Sequence, residues 1–127
     1  MKEIAYISRP RDLVFDDDVV AILRRSQQRN RAYGLTGLLL YDGDSFLQVL
    51  EGEAGAVDAL YAAIRADTRH QDVETVADGT VRRRAFSSWS MRYQRVDDLM
   101  DLIGLQDGPR RDGGFGRALA EATAGPE

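Results

Sequence analysis

The chain has 127 residues, enough for one domain with a single buried core. It contains no cysteine, which excludes disulfides, thiolate nucleophiles, thiolate metal sites and c-type haem attachment. Its formal net charge of −4 argues against general nucleic-acid binding, and no apolar run reaches the length of a membrane-spanning helix.

The start of the chain lacks the apolar run of a signal peptide, so a cytoplasmic location is expected. Lys2 to Ser8 reads as a first strand, with Ile4 and Tyr6 on one face and Ala5 and Ile7 on the other, ended by Pro10. Asp16, Asp17 and Asp18 form an acidic helix start, and the helix is expected to run to about Asn30. Its inward stripe passes from Val19, Ile22 and Leu23 to Ser26 and Asn30, turning polar without changing face. Either the helix emerges into solvent there, or Ser26 and Asn30 face something polar in an apolar cleft. Gly34 ends the helix or begins a loop.

Leu35 to Tyr41 is a nearly continuous apolar run, as expected of a strand buried on both faces. Asp42-Gly43 signals a tight turn into a second hairpin arm, on which Phe46, Gln48 and Leu50 share a face. A glutamine between two large apolar residues is exposed with them or buried with them. If buried, its amide donors and acceptor need partners, because an unpaired buried polar group costs about 1–3 kcal/mol. A second helix is expected over about 54 to 66, with Val57, Leu60, Tyr61 and Ile64 inward.

Asp67 to His70 closes that helix, and Val73, Val76 and Val81 mark a long strand that can bend at Asp78-Gly79. Trp89, Met91 and Tyr93 alternate along a final strand, and Val96 to Leu105 reads as a short helix with Leu99, Met100, Leu102 and Ile103 as its apolar set. Gly108, Pro109, Gly113 and Gly114 form a joint before a last amphipathic stretch, Phe115 to Thr123. The order β-α-β-β-α-β with an extra strand predicts an α+β, ferredoxin-like fold with two helices on one face of a mixed sheet. A flat ligand would fit between those helices, with Tyr6, Gln48, Trp89 and Met91 converging on its edge.

His70 is the sole histidine, and one His without Cys makes a zinc site improbable and leaves no catalytic triad. It reads either as a solvated loop residue or, beside Arg69, as a contact for an anionic group such as a phosphate. The chain has no phosphate-binding glycine loop.

Six motifs, in order and spacing, together resemble the BLUF family of flavin-using blue-light sensors. They are Tyr6-x-Ser8, Ser26-x-x-x-Asn30, Leu35-Thr36-Gly37, Phe46-Leu47-Gln48-x-Leu50-Glu51-Gly52, Asp67-Thr68-Arg69-His70 and Phe86-x-x-Trp89-x-Met91. The resemblance implies a noncovalent flavin, FAD with FMN as the alternative, held between the two helices, and a sensor rather than an enzyme. It implies that Tyr6 is the electron donor and that Gln48 stands between it and the flavin ring. Asn30 is implied to bond the polar edge of that ring. Ser26, Arg29, Phe46, Leu50, Asp67, Arg69 and His70 complete the implied cofactor-binding set, with the last two towards the phosphate end. Arg29 departs from the Asn or His found there in many members. Trp89 and Met91 are implied to pass on the signal. In the implied photocycle, excited flavin takes an electron and then a proton from Tyr6, the Gln48 amide rearranges, and a stronger hydrogen bond to the flavin carbonyl shifts absorption to the red.

Residues 1–96 are accordingly expected to form the flavin-binding domain, with 97–127 as a C-terminal helix and tail. No effector domain fits after Leu105, so a separate partner protein is expected, with no nucleic acid or membrane and with a homodimer open as the assembly. Two other readings compete: an acylphosphatase-like hydrolase using Arg9 and Arg11, which Pro10 between them disfavours, and a ligand-free interaction module.

Overall fold

Alternation along the first strand sets up two cores. β1 (Lys2–Pro10) sends Ile4 and Tyr6 to one side of the sheet and Ala5, with Ile7 packed nearby, to the other. The computed structural model describes residues 1–10, 16–68, 70–87, 90–104 and 114–123. Its further elements are α1 (Asp16–Tyr33), β2 (Thr36–Tyr41), β3 (Phe46–Gly52), α2 (Ala54–Ala66), β4 (His70–Thr80), β5 (Arg92–Arg95), α3 (Leu99–Gly104) and α4 (Phe115–Thr123).

The strands lie in the order β4-β1-β3-β2-β5. β1 pairs antiparallel with both β3 and β4, β2 antiparallel with β3, and β5 parallel with β2. Each helical crossover therefore joins parallel strands with another strand inserted between them, the predicted ferredoxin-like arrangement. α1 and α2 cover the front face, where Val19 of α1 and Val57, Leu60, Tyr61 and Ile64 of α2 meet Ile4, Tyr6, Leu39, Phe46 and Leu50. α3 and α4 cover the back, where Leu99, Ile103, Phe115 and Leu119 meet Leu38, Leu40, Leu47 and Val49. Each fully buried leucine contributes about 2 kcal/mol from lost water contact. Among the described residues no helix is long and apolar enough to cross a membrane.

Local chemistry explains the element ends. α1 closes with Leu35 N–H bonding Asn30 O (2.8 Å) and Gly34 N–H bonding Arg31 O (3.2 Å). It runs past the expected end at Asn30 to Tyr33, because Arg31 and Ala32 are good helix formers and the first breaker is Gly34. The Glu53 carboxylate caps α2 by accepting from Gly55 and Ala56 N–H. Gly37 has to be glycine, since a Cβ there would lie 2.0 Å from the Val49 carbonyl oxygen on the neighbouring strand. At the β2–β3 turn Gly43 takes a φ of +100°, as the Asp-Gly signal anticipated.

Two strands differ from expectation. β4 does not bend at Asp78-Gly79, which pair regularly with Ile4 and Glu3; its irregularities fall opposite Ala5/Tyr6 and Ile7/Arg9, and Asp72 takes a φ of 54°. The first shift leaves Val76 as an extra residue, so both Val76 and Ala77 reach the back core. β5 begins at Arg92, later than the expected strand, because its ladder is limited to Leu38–Tyr41 of β2. Met91 precedes it, buried in the front core, and the expected joint at Gly108 to Gly113 lies outside the described residues.

Asp42 links the hairpin to the back layer. Its Oδ1 accepts from Asp44 N–H (2.9 Å) and Ser45 N–H (2.8 Å), and its Oδ2 from Leu99 N–H (3.1 Å) at the start of α3. Partial burial pushes this carboxyl up, but the backbone donors outweigh it and hold its pKa below the ordinary value. A carboxylate whose folded pKa lies below its unfolded one stabilises fully above the unfolded pKa and loses that contribution as pH falls through the folded pKa. Asp42→Ala is therefore expected to cost about 1–2 kcal/mol at neutral pH in urea denaturation, with the gap closing below about pH 4. A gap that does not change with pH would remove the charge from this account.

Candidate functional site

The antiparallel register of β1 and β3 sets Tyr6 directly opposite Gln48, and β2 sets Leu39 on Gln48's other side. Both Tyr6 and Gln48 are buried, at 3% and 4% exposure. The Tyr6 hydroxyl donates a hydrogen bond to Gln48 Oε1. Among the described residues, Gln48 Nε2 reaches only the Met91 sulfur, a weak acceptor, at 4.0 Å. The amide thus has a firm partner for its oxygen and spare donor capacity at its nitrogen.

Burial pushes the Tyr6 phenol well above its ordinary range; the positive charge of Arg29 opposes this and is outweighed. The Tyr6 ring lies 5.2 Å from that of Tyr61, whose hydroxyl shares a hydrogen bond with Thr75.

The polar end of α1 does not emerge into solvent. Ser26 is 6% exposed and Asn30 fully buried. Asn30 Nδ2 donates to the Ser90 carbonyl at 2.6 Å, and Gln27 Nε2 to the Met91 carbonyl at 3.3 Å. Asn30 Oδ1, by contrast, is buried with no hydrogen-bond partner among the described residues. A buried acceptor of this kind costs about 1–3 kcal/mol unless a donor reaches it, so it marks a place where a ligand is expected to supply one.

A cavity of about 180 Å³ opens between α1 and the sheet, lined by Tyr6, Ser8, Leu39, Phe46 and Gln48 from the strands, by Ile22, Arg25, Ser26 and Arg29 from α1, and by Asp67. Asp67 is the C-cap of α2, its N–H bonding Ile64 O. A wider depression of about 500 Å³ lies over Glu3, Glu51, Arg82, Arg83 and Arg117, but its buried carboxylates are bonded to backbone N–H groups. The spare bonding capacity is in the smaller, front cavity.

Of the predicted residues, Tyr6, Ser26, Arg29, Phe46, Gln48 and Asp67 come together around that cavity; Met91 touches it through Gln48, and Asn30 lies one helical turn from Ser26 without lining it. Leu50 shares their face but is buried in the front core. His70 opens β4 opposite Pro10, while Arg69 and Trp89 lie outside the described residues. Ser8, Leu39 and Arg25 were not anticipated as cavity walls; the first follows from Tyr6 by the strand period of two, and the second from its pairing with Gln48.

A flavin ring fits this donor set. Its polar edge carries an N–H between two carbonyls, which matches an orphaned Asn30 oxygen and an amide with unused N–H capacity at Gln48. The walls otherwise supply apolar surface and, at the outer end, the cations Arg25 and Arg29.

Comparison with known proteins points the same way. The family model described as "BLUF: Sensors of blue-light using FAD" matches residues 1–92. The photoactivated adenylate cyclase subunit beta of Euglena longa is 36% identical over 105 residues, which is 82% of this chain but 12% of that protein's length. The dark-state structure of BlrB, a BLUF protein, superposes with a TM-score of 0.73 at 32% identity, covering 95% of this chain and 96% of the other. Klebsiella pneumoniae BlrP1, solved with FMN and cyclic diGMP, superposes with a TM-score of 0.68 at 29% identity over 84% of this chain and 30% of its own. With a matching family model over most of its length and a relative of this similarity, the chain belongs to the BLUF family of blue-light sensors that use flavin.

Proposed function

We propose that Tyr6 and Gln48 are the photoactive pair of this sensor, that FAD is its chromophore, and that its output reaches a separate effector through residues 91–104. The observation that carries the reading is the buried hydrogen bond from Tyr6 Oη to Gln48 Oε1, beside a cavity that both residues line. The family description names FAD, and the FMN in the BlrP1 structure keeps FMN as the alternative. Arg29 and Asp67, with Arg69 and His70, are proposed for the ribityl and phosphate end.

Flavin, when bound, supplies blue-light absorption and an excited state able to draw an electron from a nearby phenol. The chain's own residues do the rest. Burial keeps the proton on Tyr6 Oη in the dark, so the residue waits as a neutral phenol rather than a phenolate. Loss of an electron makes that phenol strongly acidic, and Gln48 Oε1 is already its hydrogen-bond acceptor. The Gln48 amide carries both a donor and an acceptor, so it can take part in moving that proton and then rotate or tautomerise, exchanging its two ends. Asn30 Nδ2 holds the Ser90 carbonyl and so ties α1 to the residue just before Met91.

A hydrogen-bond change becomes a signal only if it biases an element with two arrangements. Met91 is the first contact of the Gln48 nitrogen outside its own strand pair, and it leads directly into β5 and then α3. On this reading residues 1–96 form the flavin-binding domain and 97–127 the C-terminal helix and tail, with the relay crossing between them at residues 91–104. The relatives' cyclases suggest an effector of that signalling kind, on this or another chain. The hydrolase and ligand-free alternatives find no support in the family assignment.

Absorption spectra before and after blue light test the core of this. The expected result is a flavin spectrum that moves slightly to the red and returns in the dark. Tyr6→Phe is expected to keep its flavin while the yield of that shift falls roughly 100-fold or more, as for loss of a positioned proton-transfer group. A normal photocycle in that variant would remove Tyr6 from its role. An ultraviolet titration checks the waiting phenol: Tyr6 should ionise only well above the ordinary phenol value of about 10. Because the folded pKa of Tyr6 is raised, its neutral form stabilises fully below the unfolded value and the benefit is lost as pH rises past it. The parent should therefore lose stability relative to Tyr6→Phe above about pH 10.

A further inference from the structure

Glu51 belongs to the same motif as Gln48, yet it points to the opposite face of the sheet, and the photochemistry gives it no task. It is a carboxylate at 1% exposure. Its Oε2 accepts from Ala85 N–H at 2.8 Å, and its Oε1 from Phe86 N–H at 2.7 Å and from the Thr36 hydroxyl at 2.8 Å. Arg84 closes the group from outside, donating to Thr36 Oγ1 (3.0 Å), to the Glu51 carbonyl (3.3 Å) and to the Gly34 carbonyl (2.8 Å). Charge-assisted bonds of this kind are about twice as strong as neutral ones. Residues 84–86 are thereby clamped to the end of the strand that carries Gln48.

Those residues run on in sequence towards the groups bonded to Asn30 and Gln48. Ser90 lies four positions after Phe86, and four residues of chain span at most about 14 Å. Ser90 gives its carbonyl to Asn30, and Met91 gives its sulfur to Gln48 and its carbonyl to Gln27. Residues 84–86 are thus pinned from behind the sheet at Glu51, and Ser90 and Met91 from the front by α1.

We propose that Glu51 is a positioning residue for the photocycle: its buried carboxylate sets where Ser90 and Met91 stand against Asn30 and Gln48, and so sets how long the lit arrangement lasts. This rests on the photoactive-pair reading. The structure supplies its own control in Glu3, the Cα partner of Glu51 on β1. Glu3 is also a buried carboxylate on the back face, at 2% exposure, but it holds Phe115 and Gly116 N–H at the start of α4 instead.

Glu51→Gln keeps the shape but leaves one oxygen for three donors and sets an amide N–H against a backbone N–H. In the flavin-free protein, hydrogen exchange at the Ala85 and Phe86 amides is expected to speed up about tenfold, and Glu3→Gln should leave those amides protected. In the flavin-loaded protein, the dark-recovery rate after blue light should change about fivefold in Glu51→Gln, while Glu3→Gln stays within roughly twofold of the parent. Unchanged exchange at 85 and 86 would overturn the clamp. Faster exchange with unaltered recovery would reduce Glu51 to holding the back of the sheet, and an equal change in Glu3→Gln would mean general loosening; either overturns the proposal. Should Glu51→Gln fail to fold, Arg84→Gln leaves the buried carboxylate in place, removes the outer donors and is read by the same two measurements. A parent with no light-driven shift would overturn the photoactive-pair reading before any of these variants is made, and the inference would fall with it.

Discussion

The hydrogen bond between Tyr6 and Gln48 depends on register more than on either residue. In an antiparallel sheet, side chains on one face meet only across paired positions, and a slip of one residue turns every side chain to the other face. The pairing of Tyr6 with Gln48 follows from seven consecutive Cα partners between Lys2↔Gly52 and Ser8↔Phe46. The same pairing puts Ile4 beside Leu50 on the front and Ala5 beside Val49 on the back. The apolar pattern that builds both cores is therefore what aligns the photoactive pair, and a slipped register would lose the cores together with the site.

The sheet divides labour between its faces. On the front, polar groups are left partly unanswered: among the described residues the Asn30 oxygen has no partner and the Gln48 nitrogen only a weak one. On the back, the buried carboxylates of Glu3 and Glu51 are answered by backbone N–H groups from residues distant in the chain. The first condition suits a place where a ligand completes the bonding, the second a place where the chain is fastened to itself. Both faces need cover, which is why a layer of short helices lies behind the sheet.

Much of this was legible in the residues. Alternation identified the inward faces of β1 and β3, Asp42-Gly43 identified the hairpin, and the change from Val19 and Ile22 to Ser26 and Asn30 on one helical face pointed to the cleft. What stayed hidden was long-range. Carboxylates are seldom fully buried, and nothing local marks Glu3 and Glu51 as exceptions. Only the folded chain brings Phe115 and Gly116 to one and Ala85 and Phe86 to the other. The late start of β5 and the bulge at Val76 are likewise decided by the partner strand and not by the residues that form them. Trp89, read from the alternation of the final strand, and Arg69, read beside His70 as an anion contact, lie outside the described residues.

With both faces covered, the sheet's remaining vulnerability is at its rims. β4 offers an eleven-residue rim, long enough to recruit a strand from another molecule and seed cross-molecular stacking. Its ladder, however, is broken twice, Asp72 turns through a left-handed conformation, and Asp72 and Glu74 set like charges along it, while Asp78 is paired with Lys2. A second copy laid against that rim would meet mismatched hydrogen bonds and facing carboxylates. The irregularities that first look like faults in the strand thus guard the protein against fibrous aggregation, while leaving the opposite side of β1 regular enough to hold Tyr6 in place.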